Sequence, residues 1–331
     1  MKIKVLKTGV LSTIQDLGRM SYLSEAIPQS GAMDSLSARV ANKALGNQDD
    51  CATIEFTYGD AAIESKTDLL IAYAGSGSIL TVNEETLPME RPLFIPAGNI
   101  ILINHAVYGA RIYLAIAGGW DVPLVMGSKS TYLPAGFGGY LGRVLKKGDL
   151  LNNAKQLSDV SLAFLKFLCG DRINYPKWSI AKRKMLPGHL YEIRIVPGRE
   201  FGWFDAQSIL DLLSAEFSVG AKSNRMGYQL GGAKMKRVRQ QELLSTAICP
   251  GTVQVSGDGG MILLMADCQT TGGYPRIAQV ALVDLPLCAQ LRPGDTFRFI
   301  EISRQEAEDL AIRRERDLAR LTRAVELKVE I

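Results

Sequence analysis

The chain has 331 residues, 47% hydrophobic and 22% charged, a balance that excludes extended disorder and suits about two domains at roughly 150 residues each. Thirty-eight basic against 34 acidic residues leave a net charge of +4, too small an excess for a nucleic-acid-binding surface. Two histidines, His105 and His189, exclude most His-built zinc sites and leave little material for a Ser-His-Asp triad.

From the amino terminus the chain reads as short strands punctuated by glycine. Runs rich in β-branched residues at 2–7, 53–58, 69–74, 78–82, 99–104 and 111–117 stop at turn residues such as Gly75, Gly98 and Gly118. One helix is expected in this half, over 35–45, with Asp34 or Ser35 as its N-cap and Gly46-Asn47 as its stop. A helical stretch over 157–168 and a basic segment around Trp178 read as the connection to a second domain. Strands resume at 190–196, a helix follows at 205–213, and further strands are expected at 251–255, 261–266, 277–283 and 296–300. Residues 304–327, rich in Glu, Arg, Ala and Leu without Gly or Pro, form a long helix with both charge signs interspersed. The resulting expectation is a mainly β chain with a few helices. Its boundaries are an N-terminal domain over 1–151, a connecting segment over 152–187, a C-terminal domain over 188–303 and a terminal helix over 304–331. A Pro-Gly turn followed by a strand recurs at Ile95-Pro96-Ala97-Gly98 and Arg292-Pro293-Gly294-Asp295, a weak sign of two related β-barrel halves.

Compartment and cofactor signals are mostly negative. The five cysteines (Cys51, Cys169, Cys249, Cys268 and Cys288) are at least 19 positions apart, so no C-x-x-C redox or zinc motif exists and free thiols are expected. No signal-peptide core and no apolar run of 18 residues is present, so the expectation is a cytoplasmic protein with no membrane contact. Gly127-Ser128-Lys129-Ser130 imitates the end of a phosphate loop without its upstream glycine, and Gly136-Phe137-Gly138-Gly139 lacks a dinucleotide fingerprint. Ala233-Lys234-Met235-Lys236 holds the letters of a biotin-attachment site in the wrong order, so no covalent biotin is expected on this chain. Around it, residues 222–239 carry six basic side chains (Lys222, Arg225, Lys234, Lys236, Arg237 and Arg239) and no acidic one, a stretch suited to an anion such as ATP or to plain solvation.

Two segments combine glycine with polar groups that no turn requires. The first runs from Gln15-Asp16-Leu17-Gly18-Arg19 to Pro28-Gln29-Ser30-Gly31-Ala32-Met33-Asp34, where a helix start offers backbone N–H groups to an anion or an oxyanion. The second is Asp267-Cys268-Gln269-Thr270-Thr271-Gly272-Gly273-Tyr274-Pro275-Arg276, which leaves an apolar strand and suits a ligand loop.

These strings, with Ser223-Asn224-Arg225-Met226-Gly227-Tyr228 and Ala289-Gln290-Leu291-Arg292-Pro293-Gly294-Asp295, resemble the KipA-like family over roughly residues 3–300. That family is also described as the C subunit of 5-oxoprolinase, and as the allophanate-hydrolase-subunit-2 or biotin-dependent carboxyltransferase family. The resemblance implies two cyclophilin-like β-barrel domains in tandem. It also implies a bacterial protein that works with two partners, a KipI-like one (the B subunit) and a LamB/YcsF-like one (the A subunit). Together these open 5-oxo-L-proline, a small cyclic amide, to L-glutamate at the expense of ATP with Mg2+ at the level of the complex, the chain being inactive alone. Departures from the family pattern are Ser21, Ala26-Ile27, Gly59-Asp60 and Asn224, the last standing where an aspartate is usual.

On this resemblance, Gln269, Thr270 and Thr271 are expected to recognise the amide, with Gly272 and Gly273 allowing close approach and Asp267 as general base. Asp34 and the Ser30-Gly31 turn are expected at the same cleft, Arg19 and Arg225 on phosphate or substrate carboxylate, and Gln15, Tyr228 and Tyr274 complete the binding set. No metal site is expected. Two alternatives stay open: a carboxyltransferase component of a biotin-dependent urea or amide carboxylase, and a regulatory module that binds a KipI-like kinase inhibitor.

Overall fold

The computed structural model describes residues 1–186, 191–239 and 241–329. The chain divides into two units, Met1–Gly18 with Asp34–Met185 and Arg316–Ile331, and Arg19–Met33 with Leu186–Glu315. This differs from the expected contiguous boundaries. Residues 19–33 belong with the later barrel, 152–185 belong with the first unit, and the terminal helix is shared between the two. The expected boundary at 187–188, His189 and the start of the strand expected at 190 lie outside the described residues.

In the first unit the strands are β1 (Lys2–Thr8), β2 (Leu11–Gln15), β3 (Thr53–Thr57), β4 (Ala61–Ser65), β5 (Leu69–Gly75), β6 (Ser78–Val82), β7 (Glu85–Thr86), β8 (Leu93–Ile95), β9 (Ile100–His105), β10 (Arg111–Ile116) and β11 (Leu150–Asn152). They form a six-stranded sheet, β11-β1-β4-β9-β6-β7, and a five-stranded one, β2-β3-β10-β5-β8. Alternation builds the first sheet: Ile3 and Val5 of β1 point inward while Lys2, Lys4 and Lys7 do not. Ile3, Val5, Ile63, Leu80, Ile101 and Ile103 meet Ile54, Phe56, Ile71, Tyr73, Ile112 and Leu114 of the second sheet in one core. β5 and β10 are buried at every position, because α1 (Ser35–Ala44) covers their other face. The segment read as a connection is strapped onto this unit: α2 (Asp159–Leu168) packs on β5 and β8, and Ile180 N donates to the Glu90 carbonyl at 2.9 Å.

In the second unit β12 (Glu192–Pro197), β13 (Phe217–Val219), β14 (Gly227–Gly231), β16 (Thr252–Val255), β17 (Met261–Leu264), β19 (Arg276–Val280) and β20 (Thr296–Glu301) close a barrel in the order β12-β19-β16-β17-β14-β13-β20. Ring closure comes from parallel pairing of β12 with β20, whereas the other neighbours are antiparallel. Phe217, Phe297 and Phe299 pack at centroid distances of 5.1 to 6.5 Å among Ile193, Val253, Leu263 and Ile277. A two-stranded ribbon, β15 (Thr246–Ala247) with β18 (Thr271–Gly272), stands apart from the barrel ladder. α3 (Ala206–Ser214) starts at Asp205, whose side chain accepts from Ser208 N at 2.8 Å. The strand expected over 277–283 stops at Val280. Asp284 turns back to take three hydrogen bonds from Arg194, and Pro286 begins α4 (Leu285–Gln290). α5 (Arg304–Glu326) packs Ala307, Leu310 and Ala311 on the second unit, and its later half carries Thr322, which accepts from Lys43 in the first. The mainly β expectation holds, with one closed barrel and, in the other unit, two sheets sharing a core.

Candidate functional site

In the second unit the candidate site is built on the loop that leaves β17. Met265 and Ala266 stay buried, and the chain then turns outward through Asp267. Arg225 meets that residue as a fork: Nε donates to Oδ2 at 2.7 Å and Nη2 to Oδ1 at 3.1 Å. Nη2 also donates to the Gly31 carbonyl at 2.6 Å, so one buried guanidinium joins the Ser30-Gly31 turn to the start of the loop. Ser30 and Gly31 both adopt left-handed backbone, φ 56° and 91°. The Ser30 hydroxyl is buried there with no hydrogen-bond partner.

Beyond Asp267 the side chains divide. Cys268 and Thr270 point inward, whereas Gln269, Thr271, Gly273 and Tyr274 are exposed. Burial pushes the Cys268 thiol up to about 12, so it is a neutral thiol and no nucleophile at physiological pH. Thr271 and Gly272 pair with Ala247 and Thr246, and Ile248 N donates to the Thr270 carbonyl at 3.0 Å. A Cβ at Gly272 would lie 2.7 Å from Gln254 Nε2, and that nitrogen donates to the Tyr274 carbonyl at 3.3 Å. A side chain at 272 would therefore have to displace the ends of Gln254 and Ile248. At the far end Arg276 donates from Nε and Nη2 to both oxygens of the buried Glu200, each at 2.7 Å. Burial alone would raise the Glu200 carboxyl, but hydrogen bonds from Arg276 outweigh it and hold the group below the ordinary glutamate range. The loop is thus fixed at both stems by buried Arg–carboxylate forks while its middle presents polar side chains to solvent.

This geometry redefines several expected roles. Both oxygens of Asp267 are engaged by Arg225, so proton abstraction there would first have to break a buried ion pair, a step costing roughly 3–5 kcal/mol. Asp267 therefore fits an orienting role better than that of general base. Arg225 is committed to Asp267 and Gly31, and Tyr228 is part of the barrel core. Asn224 Oδ1 accepts from Met226 N at 2.8 Å, holding the turn that an aspartate would hold, while Asp267 supplies the carboxylate for Arg225. Arg19 is buried, and its backbone N donates to the Gln29 carbonyl at 2.7 Å. Within the basic stretch 222–239, Arg225 is paired with Asp267, Lys234 is paired with Asp258, and Met235 lies in the core.

Gln15 and Asp34 belong to the first unit. Asp34 is the N-cap of α1, accepting from Ser37 N at 2.8 Å and Ser37 Oγ at 2.5 Å. Its backbone N donates to the Tyr113 hydroxyl at 2.7 Å, which donates in turn to Glu55 Oε2 at 2.8 Å. Burial, reinforced by the charges of Glu55 and Asp34, pushes the Tyr113 hydroxyl well above the ordinary tyrosine range and keeps it a neutral donor. Lys182 Nζ donates to Ser37 Oγ at 3.0 Å and lies 3.7 Å from Glu90, whose carboxyl burial raises against the pull of Lys182. Gln15 donates through Nε2 to Thr13 Oγ1 at 3.0 Å and the Thr131 carbonyl at 3.2 Å, and its Oε1 is buried with no hydrogen-bond partner. Glu200, Glu55, Tyr113, Lys182 and Glu90 escaped the sequence reading. Arg276 alone had a signal, standing directly after the Gly-Gly-Tyr-Pro string.

A sequence profile described as the carboxyltransferase domain, subdomain A and B, matches residues 25–301. The chain belongs to this carboxyltransferase-domain family. Among its relatives, the 5-oxoprolinase C subunit of Escherichia coli is 36% identical over 307 residues, 92% of this chain and 93% of the relative. The protein of the same name in Haemophilus influenzae is 34% identical over 327 residues, covering 98% and 99%. The crystal structure of Kluyveromyces lactis urea carboxylase superposes with a TM-score of 0.85 at 27% identity, over 97% of this chain but only 29% of that one. Within the carboxyltransferase-domain family, then, relatives of matching length carry the oxoprolinase name, and the chain spans under a third of the urea carboxylase. Among the described residues, no helix is long and apolar enough to cross a membrane, and no group of three or more His, Cys, Asp or Glu is placed to hold a metal ion.

Proposed function

We propose that this chain is the C subunit of a bacterial, cytoplasmic, ATP-dependent 5-oxoprolinase complex, working with a KipI-like and a LamB/YcsF-like partner to convert 5-oxo-L-proline to L-glutamate. The observation that carries this reading is similarity along essentially the full length of two proteins named as 5-oxoprolinase C subunits. In the reaction, water adds to the lactam carbonyl carbon, the ring C–N bond breaks and the nitrogen takes a proton. The exposed Gln269 amide and Thr271 hydroxyl are suited to donate to the lactam oxygen as it gains charge, and Tyr274 offers a ring face and hydroxyl beside them. Arg225 and Asp267 hold the loop and the Ser30-Gly31 turn in place. Preorganisation of this kind supplies catalysis without histidine.

ATP does not fit this chain's own residues well. The imitation phosphate loop at Gly127–Ser130 is occupied by the Asp16 carboxylate, and the basic stretch is partly neutralised by internal ion pairs. We therefore assign nucleotide binding to the assembled complex. The test is reconstitution with the two partner proteins. The expected result is ATP- and 5-oxoproline-dependent glutamate formation, which Gln269→Ala lowers about 30- to 100-fold, the loss of one transition-state hydrogen bond. Full activity of Gln269→Ala would remove the loop from the site. The likeness to urea carboxylase favours one second reading, carboxyl transfer from a biotinylated carrier. Activity abolished by avidin would select that reading instead.

A further inference from the structure

We infer that Glu200 is a positioning residue for the 269–274 loop, acting through Arg276. This rests on the reading that the loop carries the amide-binding groups. Glu200 follows the Pro197-Gly198 turn at the end of β12 and is 3% exposed. It receives three hydrogen bonds from Arg276: Nε and Nη2 at 2.7 Å and backbone N at 3.1 Å. The turn and the loop stem approach so closely that a Cβ at Gly198 would lie 2.3 Å from the Arg276 carbonyl oxygen. The remaining arm of the guanidinium, Nη1, donates to the Ala247 carbonyl at 3.3 Å. Ala247 is the residue opposite Thr271 in the β15–β18 ribbon. A path of direct contacts therefore runs from a buried carboxylate, through one rigid fork, to the strand that fixes Thr271.

The barrel does not rest on this pair alone. β19 is already laddered to β12 and β16, and its Ile277, Ala278 and Val280 lie in the core. What the pair adds lies outside the ladder, at Ala247 and the loop. A planar fork satisfied on both sides sets an orientation, which apolar contacts at the same place would not. Replacing both charges with apolar groups of similar volume leaves stability about unchanged while removing the orientation.

The experiment compares the chain with Glu200→Leu/Arg276→Met, and with Glu200→Gln as a smaller change that keeps the side-chain volume, each assembled with its partner proteins. The expected result is a thermal midpoint near that of the parent, amide exchange at Ile248 faster by tenfold or more, and kcat for 5-oxoproline lower by about 10- to 100-fold with a smaller change in KM. A folded double variant with unchanged loop exchange overturns the inference, as does one with faster exchange and unchanged kcat. If the double variant does not fold, Glu200→Gln decides by the same two readouts. Gln269→Ala made in parallel separates the two levels. If it retains full turnover, the loop is not the site and the underlying reading has failed; if it is inactive while the Glu200 variants are not, only the positioning role has failed.

Discussion

Two turns of similar composition behave in opposite ways. In the first unit, Gly127-Ser128-Lys129-Ser130 wraps the carboxylate of Asp16, which accepts from Ser128 Oγ at 2.6 Å, Ser130 Oγ at 2.5 Å, Lys129 N at 2.5 Å and Gly18 N at 2.8 Å. In the second, the polar loop around Gly272-Gly273 is held at its stems and through the backbone of the short β15–β18 ribbon, and the side chains of Gln269, Thr271 and Tyr274 remain open to solvent. Glycine with Ser, Thr or Lys reads alike in both. What separates a structural nest from a ligand loop is whether the chain supplies the ligand itself.

That contrast can be broken by experiment. The largest effect is expected at Asp16→Ala. It strips four hydrogen bonds from a buried nest and should lower unfolding free energy by about 3–5 kcal/mol in a denaturant titration. A loss under about 1 kcal/mol would mean the nest tolerates emptiness and is a site after all. Next comes Gln269→Ala, expected to lower kcat/KM by roughly 30- to 100-fold with an unchanged thermal midpoint, since its side chain is exposed. A shifted midpoint with intact kinetics would invert the comparison. Gly272→Ala is expected to cost about 1–3 kcal/mol, because the new methyl meets Gln254 Nε2 at 2.7 Å and Ile248 at 2.9 Å. Calorimetry reads that cost, and a neutral result would show a loop looser than its packing.

The smallest effect concerns pH. Glu200 titrates below the ordinary glutamate range when folded, so the folded chain binds fewer protons than the unfolded one as pH falls. Its stabilisation is complete above the unfolded value and declines as pH drops through that value toward the folded one. The stability of the parent relative to Glu200→Leu/Arg276→Met, about equal at neutral pH, should therefore fall between about pH 6 and about pH 3. A relative stability that grew on acidification would reverse the assignment of sign.

Much of the fold was legible because its determinants are local. Alternation marked β1, the Asp34 cap and Gly46 stop bounded α1, and uniform charge interspersion marked α5. Several strands were invisible, among them β2, β4, β8, β13 and β14. Ala61-Ala62-Ile63-Glu64-Ser65 has no strong β formers beyond Ile63, and its place is set by neighbours in β1 and β9. The candidate loop was legible too, since its polar run follows an apolar strand. The duties of individual side chains were not. Asp267 and Arg225 are 42 positions apart, Arg276 and Glu200 76, and Tyr113 and Asp34 79. Such pairs exist only after the chain has folded back, so a carboxylate in a promising string cannot be sorted into base, cap or staple beforehand. Tyr228 illustrates the same limit: its place in a motif suggested a ligand contact, and its strand register put it in the core.

The parallel seam between Glu192–Pro197 and Thr296–Glu301 has a consequence for how the protein is made. The ring's first strand is also one side of its closing joint, and the other side is its last strand. A ribosome emits roughly 5–20 residues per second, so about 100 residues of partly paired sheet wait for several seconds before the seam can form. Residues 19–33, synthesised far earlier, wait longer still for the unit to which they belong. Barrel completion is thus deferred until Thr296–Glu301 has been made, and a chain arrested before Thr296 exposes two unpaired edges, open to chaperones or to other nascent copies.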